Sequence, residues 1–143
     1  MAFRFIEDAP TADVGFVASG ATLDDCFQSA ADATLSVMLA NPEALQARVQ
    51  HEVRVDDEAL DLALLRFLEE LVYHKDAHRE LLRARDVCVH RDGERWIVEA
   101  TLEGETIDPD RHGLAGDVKA VTLHQLQVRR TEDGYEATVV LDV

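Results

Sequence analysis

The sequence has few of the features that mark secreted, membrane-spanning or disulfide-bonded proteins. Its 143 residues include only 2 cysteines, with no CxxC spacing between them. No apolar run approaches the ~20 residues that a membrane span requires, and no basic and then apolar stretch resembles a signal peptide. Cys26 and Cys88 lie far apart in segments with apolar patterns, so we interpret both as reduced core residues. The expected setting is the cytoplasm, without membrane association.

Positive charge is also scarce. The chain has 14 Lys and Arg residues against 29 Asp and Glu, a formal net charge of −15, and its only lysines are Lys75 and Lys119. Nucleic-acid phosphates repel such a surface, so we expect no tight binding of nucleic acid. Because 47% of the residues are hydrophobic, the acidity does not indicate a disordered chain. Two explanations of the scarcity of lysine relative to arginine remain open, genome composition and an acidic, lysine-poor surface adapted to a high-salt cytoplasm.

Motifs of several enzyme classes are missing. The chain contains no GxGxxG, no GxxxxGK[ST] and no GxSxG, and its predicted strands do not alternate with helices. The pattern therefore argues against a nucleotide-binding α/β fold and gives no support to nucleophilic catalysis. We expect no catalytic residues and no enzyme activity of the chain alone.

Hydrophobic periodicity predicts two helices. The first begins after Thr22, an N-cap followed three residues later by the acidic Asp25, and it ends before Pro42. The second begins after Asp56 or Asp57 and reaches about residue 74, where a turn region over 76–82 follows.

Alternating apolar residues predict strands over the rest of the chain. The predicted strands are 3–6, 14–19, 49–55, 86–91, 95–102, 118–129 and 135–143. Asp92-Gly93 and Asp133-Gly134 are hairpin turn signals between neighbouring strands. The order of elements predicts one α+β domain over residues 1–143, a largely antiparallel β-sheet with two α-helices packed on one face.

Carboxylates at two distant positions are candidate metal ligands. Asp13 lies at a strand start, where an aspartate commonly caps the local backbone and alternatively binds a hard cation. Asp142 immediately precedes Val143, whose terminal carboxylate would be a second anion nearby, and like charges that close need a cation or a raised pKa. Asp13, Asp142 and the Val143 carboxylate together offer the oxygen ligands that Ca²⁺ or Mg²⁺ requires.

A charged loop over 104–116 holds further polar candidates. In it Arg111 and His112 place a cation beside a titratable group among carboxylates, although such density is also typical of a solvated turn. Lys119 and His124 follow on the next predicted strand, on opposite faces by parity.

Two histidines at helical i, i+4 spacing form a weaker candidate. His74 and His78 on one helix face have the spacing of transition-metal ligands, but no third ligand is identifiable. The alternative is that they complement the helix macrodipole. We assign no role to His51 and His90.

At several of these positions the chain resembles the archease family. The matching motifs, in family order, are Thr11-Ala12-Asp13-Val14-Gly15, Gly20-Ala21-Thr22-Leu23-Asp24-Asp25-Cys26-Phe27, Leu68-Glu69-Glu70-Leu71-Val72-Tyr73, Gly104-Glu105, Asp108-Pro109-Asp110-Arg111-His112, Asp117-Val118-Lys119-Ala120-Val121-Thr122-Leu123-His124 and Val140-Leu141-Asp142-Val143.

The resemblance implies a protein cofactor rather than an enzyme. Archeases assist the GTP-dependent tRNA-splicing ligase, which joins a 2′,3′-cyclic-phosphate or 3′-phosphate end to a 5′-hydroxyl. They promote guanylylation of the ligase's active-site histidine and allow multiple turnovers. The resemblance maps the family's metal ligands onto Asp13, Asp142 and Val143 and implies calcium as the ion. It leaves Arg111, His112, Lys119 and His124 as candidates for contact with the partner or for activation.

The chain departs from the family pattern at a few positions. Pro10 replaces a usual His, Phe67 and Glu69 replace Trp and Asn, Asp117 replaces Glu, and Leu123 replaces Tyr. None of these positions is one of the three implied ligands. Two other functions stay open, a stand-alone chaperone or interaction module and a small hydrolase that uses Asp13 and His112.

Overall fold

Helices and antiparallel strands together form the described part of the protein. The computed structural model describes residues 1–7 and 13–143. The elements are β1 (Ala2–Ile6), β2 (Asp13–Gly20), α1 (Leu23–Met38), β3 (Val49–Asp57), α2 (Leu60–His78), β4 (Glu80–Asp92), β5 (Arg95–Thr106), β6 (Ala120–Val121), β7 (Gln127–Thr131) and β8 (Gly134–Asp142), with a 3-10 turn at Pro42–Ala44. The predicted α+β class is confirmed. Neither described helix is both long and apolar enough to cross a membrane.

The strands divide between two sheets, which strand periodicity alone does not reveal. The larger sheet has five strands in the order β1-β2-β8-β6, and β7 also pairs with β8. Strand β8 is its centre, because β2 pairs along one edge while β7 and β6 pair in succession along the other. The smaller sheet has the order β3-β5-β4, and all pairings in both sheets are antiparallel.

Helix α1 begins and ends close to where the sequence predicts. Thr22 is its N-cap, and the Thr22 hydroxyl accepts a hydrogen bond from the Asp25 N–H at 3.1 Å. Small buried residues on this helix, Ala30, Ala31 and Ala33, let it approach both β2 and β4 closely. The helix thus joins the two sheets through one core.

Helix α2 is longer than predicted, and the turn expected over 76–82 is absent. The helix continues to His78, and the single left-handed residue Arg79, at φ 54°, leads directly into β4. The predicted cap is also wrong in detail. The N-cap is Ala59, whose N–H donates to Asp57 Oδ1 at 3.0 Å just outside the helix.

The predicted strand over 118–129 is interrupted. Strand β6 has only two residues, because the Thr122 hydroxyl donates to the Val140 carbonyl and also accepts from the His124 N–H. Gln125 then adopts a left-handed conformation at φ 56° before β7 begins. The Thr122 N–H still donates to the Val140 carbonyl at 3.0 Å, and the local side-chain hydrogen bond to the His124 N–H follows where strand pairing ends.

Three phenylalanines form the centre of the core. Phe16 of β2, Phe27 of α1 and Phe67 of α2 are fully buried, and the Phe27 and Phe67 rings stack with centroids 6.4 Å apart. Burial of each side chain stabilises the folded state by roughly 1.5–3 kcal/mol. Phe67 thus packs where the resemblance implies a usual Trp.

The two cysteines lie in different environments, which corrects one prediction. Cys26 is buried, but Cys88 is exposed. A register shift in β4 between Arg85 and Cys88, with Asp86 at φ 54°, changes which residues face the core. An extra residue of this kind reverses the side-chain alternation, and the sequence pattern across 86–91 did not reveal it.

We expect the two thiols to differ in reactivity. Burial, with a smaller effect from the Glu136 charge, raises the pKa of Cys26 to about 11, so its reactive thiolate is rare at neutral pH. An aromatic disulfide reagent should titrate one thiol in the native protein and two in denaturant. Cys88→Ser should abolish the fast native reaction, and two fast thiols in the native protein would contradict this assignment.

Candidate functional site

Two carboxylates lie opposite each other at the end of the central strand pair. Asp13 of β2 is in direct register with Asp142 of β8, and both residues are half-buried. Directly paired residues in antiparallel strands have Cβ atoms about 4.5–5.5 Å apart and project from the same face. The pair thus brings together two residues that are remote in sequence.

A third strand fixes the backbone of Asp142. Ala120 of β6 pairs with Asp142, and the Lys119 N–H donates to the Asp142 carbonyl at 2.8 Å. Ala120 shares the face of the carboxylate pair and adds only a methyl group there. Within residues 1–7 and 13–143, neither Asp13 nor Asp142 forms an ion pair with a basic side chain. This donor set fits a hard divalent cation, which oxygen ligands bind.

The position of Val143 is set by packing. Its side chain is half-buried and contacts the hydrophobic core directly after Asp142. The backbone at Val143 therefore stays beside the carboxylate pair. Residues 11 and 12 of the matching motif, and the departure at Pro10, lie outside the described residues.

The predicted solvated loop is closed around a buried carboxylate. Glu105, only 2% exposed, accepts hydrogen bonds from the Gln46 N–H at 2.6 Å and from Arg111 Nη1 at 3.2 Å. His112 Nδ1 accepts from the Asp108 N–H at 2.9 Å, which leaves the ring proton on Nε2, 3.5 Å from Glu105 Oε2. The buried Glu105 carboxylate thus holds the loop closed through its contacts with Arg111 and His112.

This arrangement limits what His112 can contact. The residue is 4% exposed, so its side chain is not accessible to a partner in this conformation. The Arg111 side chain is 41% exposed while it pairs with Glu105. Among the described residues, no hydrogen bond or ion pair joins Arg111 or His112 to Asp13 or Asp142. A hydrolase built on Asp13 and His112 therefore has no structural support.

Lys119 and His124 are both exposed, and Lys119 lies next to the carboxylate pair. Lys119 is fixed through its backbone to Asp142, and His124 follows the interruption after β6. The parity expectation does not apply to them, since no continuous strand links the two positions.

A buried lysine ties helix α2 to the segment before β6. Lys75 Nζ donates to Asp76 Oδ1 and to Asp117 Oδ1, each at 2.5 Å. Burial by itself lowers the pKa of Lys75, but the hydrogen bonds and charges of Asp117 and Asp76 outweigh it and raise the pKa overall. The lysine therefore stays charged and anchors Asp117, three residues before β6.

A histidine cluster is the site that the sequence reasoning missed. His74 of α2 stacks on His51 of β3, with ring centroids 4.2 Å apart, and Glu80 of β4 lies beside both. The His74–His78 spacing was a signal, but His51 and Glu80 are brought to it by tertiary structure. Alternation in β3 was the only sequence sign that His51 faces the helix.

Comparison with known proteins matches nearly the whole chain to a single protein family. Residues 3–143 match the sequence model of the Archease protein family. The chain is 31% identical to Protein archease of Pyrococcus furiosus over 134 residues, 93% of this chain and 94% of that one. It is 30% identical to Protein archease of Sulfurisphaera tokodaii over 141 residues, 99% of this chain and 98% of that one.

Solved structures agree with this match. The solution structure of Methanobacterium thermoautotrophicum protein 1598 superposes with a TM-score of 0.79 at 26% identity, covering 99% of this chain and 98% of that one. A Thermotoga maritima crystal structure, described as an archease and possible chaperone, shares the fold with a TM-score of 0.64 at 17% identity, covering 94% and 93%. The family match extends over nearly the whole chain, including the strands that carry Asp13 and Asp142. The protein belongs to the archease family.

Proposed function

We propose that this protein is a cofactor of a GTP-dependent tRNA-splicing ligase. It promotes guanylylation of the ligase and its multiple turnover in tRNA splicing or RNA repair, and it has no catalytic centre of its own. The family match over residues 3–143 is the observation that carries the proposal. The proposed setting is the cytoplasm, which suits two unpaired thiols.

A bound cation is part of the proposed activator. Asp13 and Asp142 form the site, with Val143 as the third ligand position, and calcium or another hard divalent cation is the ion. The direct register of the two aspartates and their lack of a basic ion-pair partner among the described residues support this assignment. The cation offsets the repulsion between two carboxylates that β-pairing holds together.

Electrostatics supports a transient contact with the ligase. A ligase that binds tRNA needs a basic surface, and a protein of net charge −15 is steered toward such a surface. We infer that the protein docks in the RNA-free state and leaves when tRNA arrives. Lys119, His124 and Arg111 are the accessible polar candidates for the contact, whereas His112 contributes by holding the Arg111 loop.

A stand-alone chaperone or interaction module is the second candidate. Phe3 and Phe5 on β1 are exposed at the edge of the larger sheet, near exposed Met1, and pack against each other edge to face. Exposed apolar patches mark protein interaction sites, so these side chains support this second candidate. The two functions separate in a ligation assay, since only the first accelerates the ligase when all proteins are folded.

Removing either carboxylate should weaken calcium binding. Asp13→Asn and Asp142→Asn each delete one anionic ligand, whereas Asp133→Asn in the exposed β7–β8 turn removes the same charge elsewhere. Calorimetry should show strong loss for the first two and none for the third. At calcium 100-fold above Kd, the parent should gain about 2.7 kcal/mol of stability. Equal calcium affinity in all three variants would exclude this site.

Ligase activation should fall as salt rises. Exposed charges are screened over about 8 Å at physiological ionic strength and over about 3 Å at 1 M. The initial rate of ligation, measured with and without the protein across a salt series, should lose its several-fold stimulation. Asp142→Asn should lower the stimulation at low salt, where the parent protein stimulates most. Stimulation that is flat with salt and unaffected by Asp142→Asn would contradict electrostatic docking.

The protein alone should bind RNA poorly. Its net charge opposes phosphate approach, and the sequence shows no platform of aromatic and basic residues to reverse this locally. Fluorescence anisotropy with a labelled tRNA should give no sub-micromolar affinity at physiological salt. Such an affinity without the ligase would overturn the proposal that it acts through a protein partner.

A further inference from the structure

The histidine cluster lies where helix α2 meets one edge of the smaller sheet. Strand β3 is an edge strand, and its alternation turns His51 toward α2 together with Val49 and Val53. His74 lies one turn before the end of α2. Glu80, the first residue of β4, follows the left-handed Arg79 that reverses the chain. Three elements thus contribute one side chain each.

The intervening strand leaves space for these side chains to meet. Strand β5 lies between β3, which carries His51, and β4, which carries Glu80. The β5 residue that lies between these two side chains on the same face of the sheet is Gly104, which pairs with Val49 of β3 and Leu82 of β4. A Cβ at Gly104 would lie 1.9 Å from the Leu81 carbonyl oxygen. The position therefore requires glycine, and no β5 side chain separates His51 from Glu80.

The three ligating atoms lie close together. His51 Nε2 is 2.8 Å from Glu80 Oε1, and His74 Nδ1 is 3.9 Å from the same oxygen. All three atoms lie within 4.8 Å of one another. Ligands about 2.0–2.2 Å from a tetrahedral zinc ion are separated by roughly 3.3 Å, so small side-chain rotations bring these atoms to ligating distance.

Burial gives an independent indication of a missing partner. The His74 side chain is 10% exposed, and Nδ1 has no hydrogen-bond partner among the described residues. Leaving such a buried polar atom unpaired costs about 1–3 kcal/mol. Burial, assisted by His51 and His78 against an opposing effect of Glu80, lowers the pKa of His74.

We propose that His51, His74 and Glu80 form a second metal site, one for a transition metal of the zinc class. Two imidazoles and one carboxylate are the donor set of open zinc sites, in which water takes the remaining position. Nitrogen donors favour such ions over calcium, which prefers oxygen. Glu70 Oε2 lies 3.9 Å from His74 Nε2, the other ring nitrogen, beyond hydrogen-bond distance in this conformation.

The second site lies on different strands from the Asp13–Asp142 pair and has different ligand atoms. It joins α2 to the smaller sheet, whereas Asp13 and Asp142 lie in the larger sheet. It does not depend on the proposed ligase function. A bound zinc ion would crosslink β3, α2 and β4 and stabilise the folded state by mass action.

Co²⁺ is a direct probe of this site, because tetrahedral Co²⁺ absorbs visible light. Zn²⁺ should displace the bound Co²⁺ and remove the absorption. Metal-stripped protein should develop these bands on titration with Co²⁺ and lose them when Zn²⁺ is added, and Zn²⁺ should raise the Tm. Glu80→Gln and His51→Ala should weaken Zn²⁺ binding more than about 100-fold, beyond the loss typical of an outer-shell partner. His51 is partly exposed, so its variant should fold, which circular dichroism verifies.

Matched controls make the test specific. His90→Ala removes an exposed histidine of β4 outside the cluster, and Asp142→Asn removes a carboxylate of the other site. Both should keep the parent's Zn²⁺ affinity and cobalt spectrum. Absence of visible bands in the parent would overturn the proposal, as would unchanged Zn²⁺ affinity in folded Glu80→Gln and His51→Ala. A loss in His90→Ala alone would place the metal elsewhere and refute the cluster.

Discussion

Pairing of β2 with β8 holds the two carboxylates of Asp13 and Asp142 opposite each other. The other strands of the larger sheet pair with this central strand pair. The ladder runs from Asp13–Asp142 to Gly20–Tyr135, and the side chains of Phe16, Val139 and Leu141 along it are buried. Apolar burial fixes the register, because a slip of one residue would turn the buried side chains toward solvent. The carboxylates therefore cannot separate without loss of core packing, and a cation is the direct way to reduce their repulsion.

The other elements determine what can approach this pair. Strand β6 is short and places Ala120 beside Asp142, while Lys75 and Asp117 fix the segment that leads into it. The Arg111 loop is closed separately on Glu105. The two carboxylates thus lie together at the end of the central strand pair, with the exposed Lys119 next to Asp142.

The sequence predicted most of the fold because its signals were local. The Thr22 cap, the helix face that includes Phe67 and the hairpin at Asp92-Gly93 all depend on residues close in the chain. The errors arose where tertiary contacts override local pattern. The β4 bulge turns Cys88 toward solvent, and the left-handed Arg79 makes the turn before β4 a single residue. The Thr122 side chain forms hydrogen bonds where β6 ends.

The candidate sites were predictable to different degrees. Asp13 and Asp142 stand out as carboxylates next to strand ends, but only register shows that they are neighbours. The sequence identifies His112 as a titratable loop residue, but its burial beside the buried Glu105 is visible only in the structure. The histidine cluster combines three segments, so a spacing rule finds at most the His74–His78 pair.

Counting product per ligase molecule tests most directly the proposed role of this protein in repeated ligase turnover. The ligase is supplied with GTP, calcium and excess RNA ends, with and without this protein. Repeated activation predicts many ligated products per ligase molecule with the protein and about one or fewer without it. Equal product yields in the two reactions would contradict the proposed role.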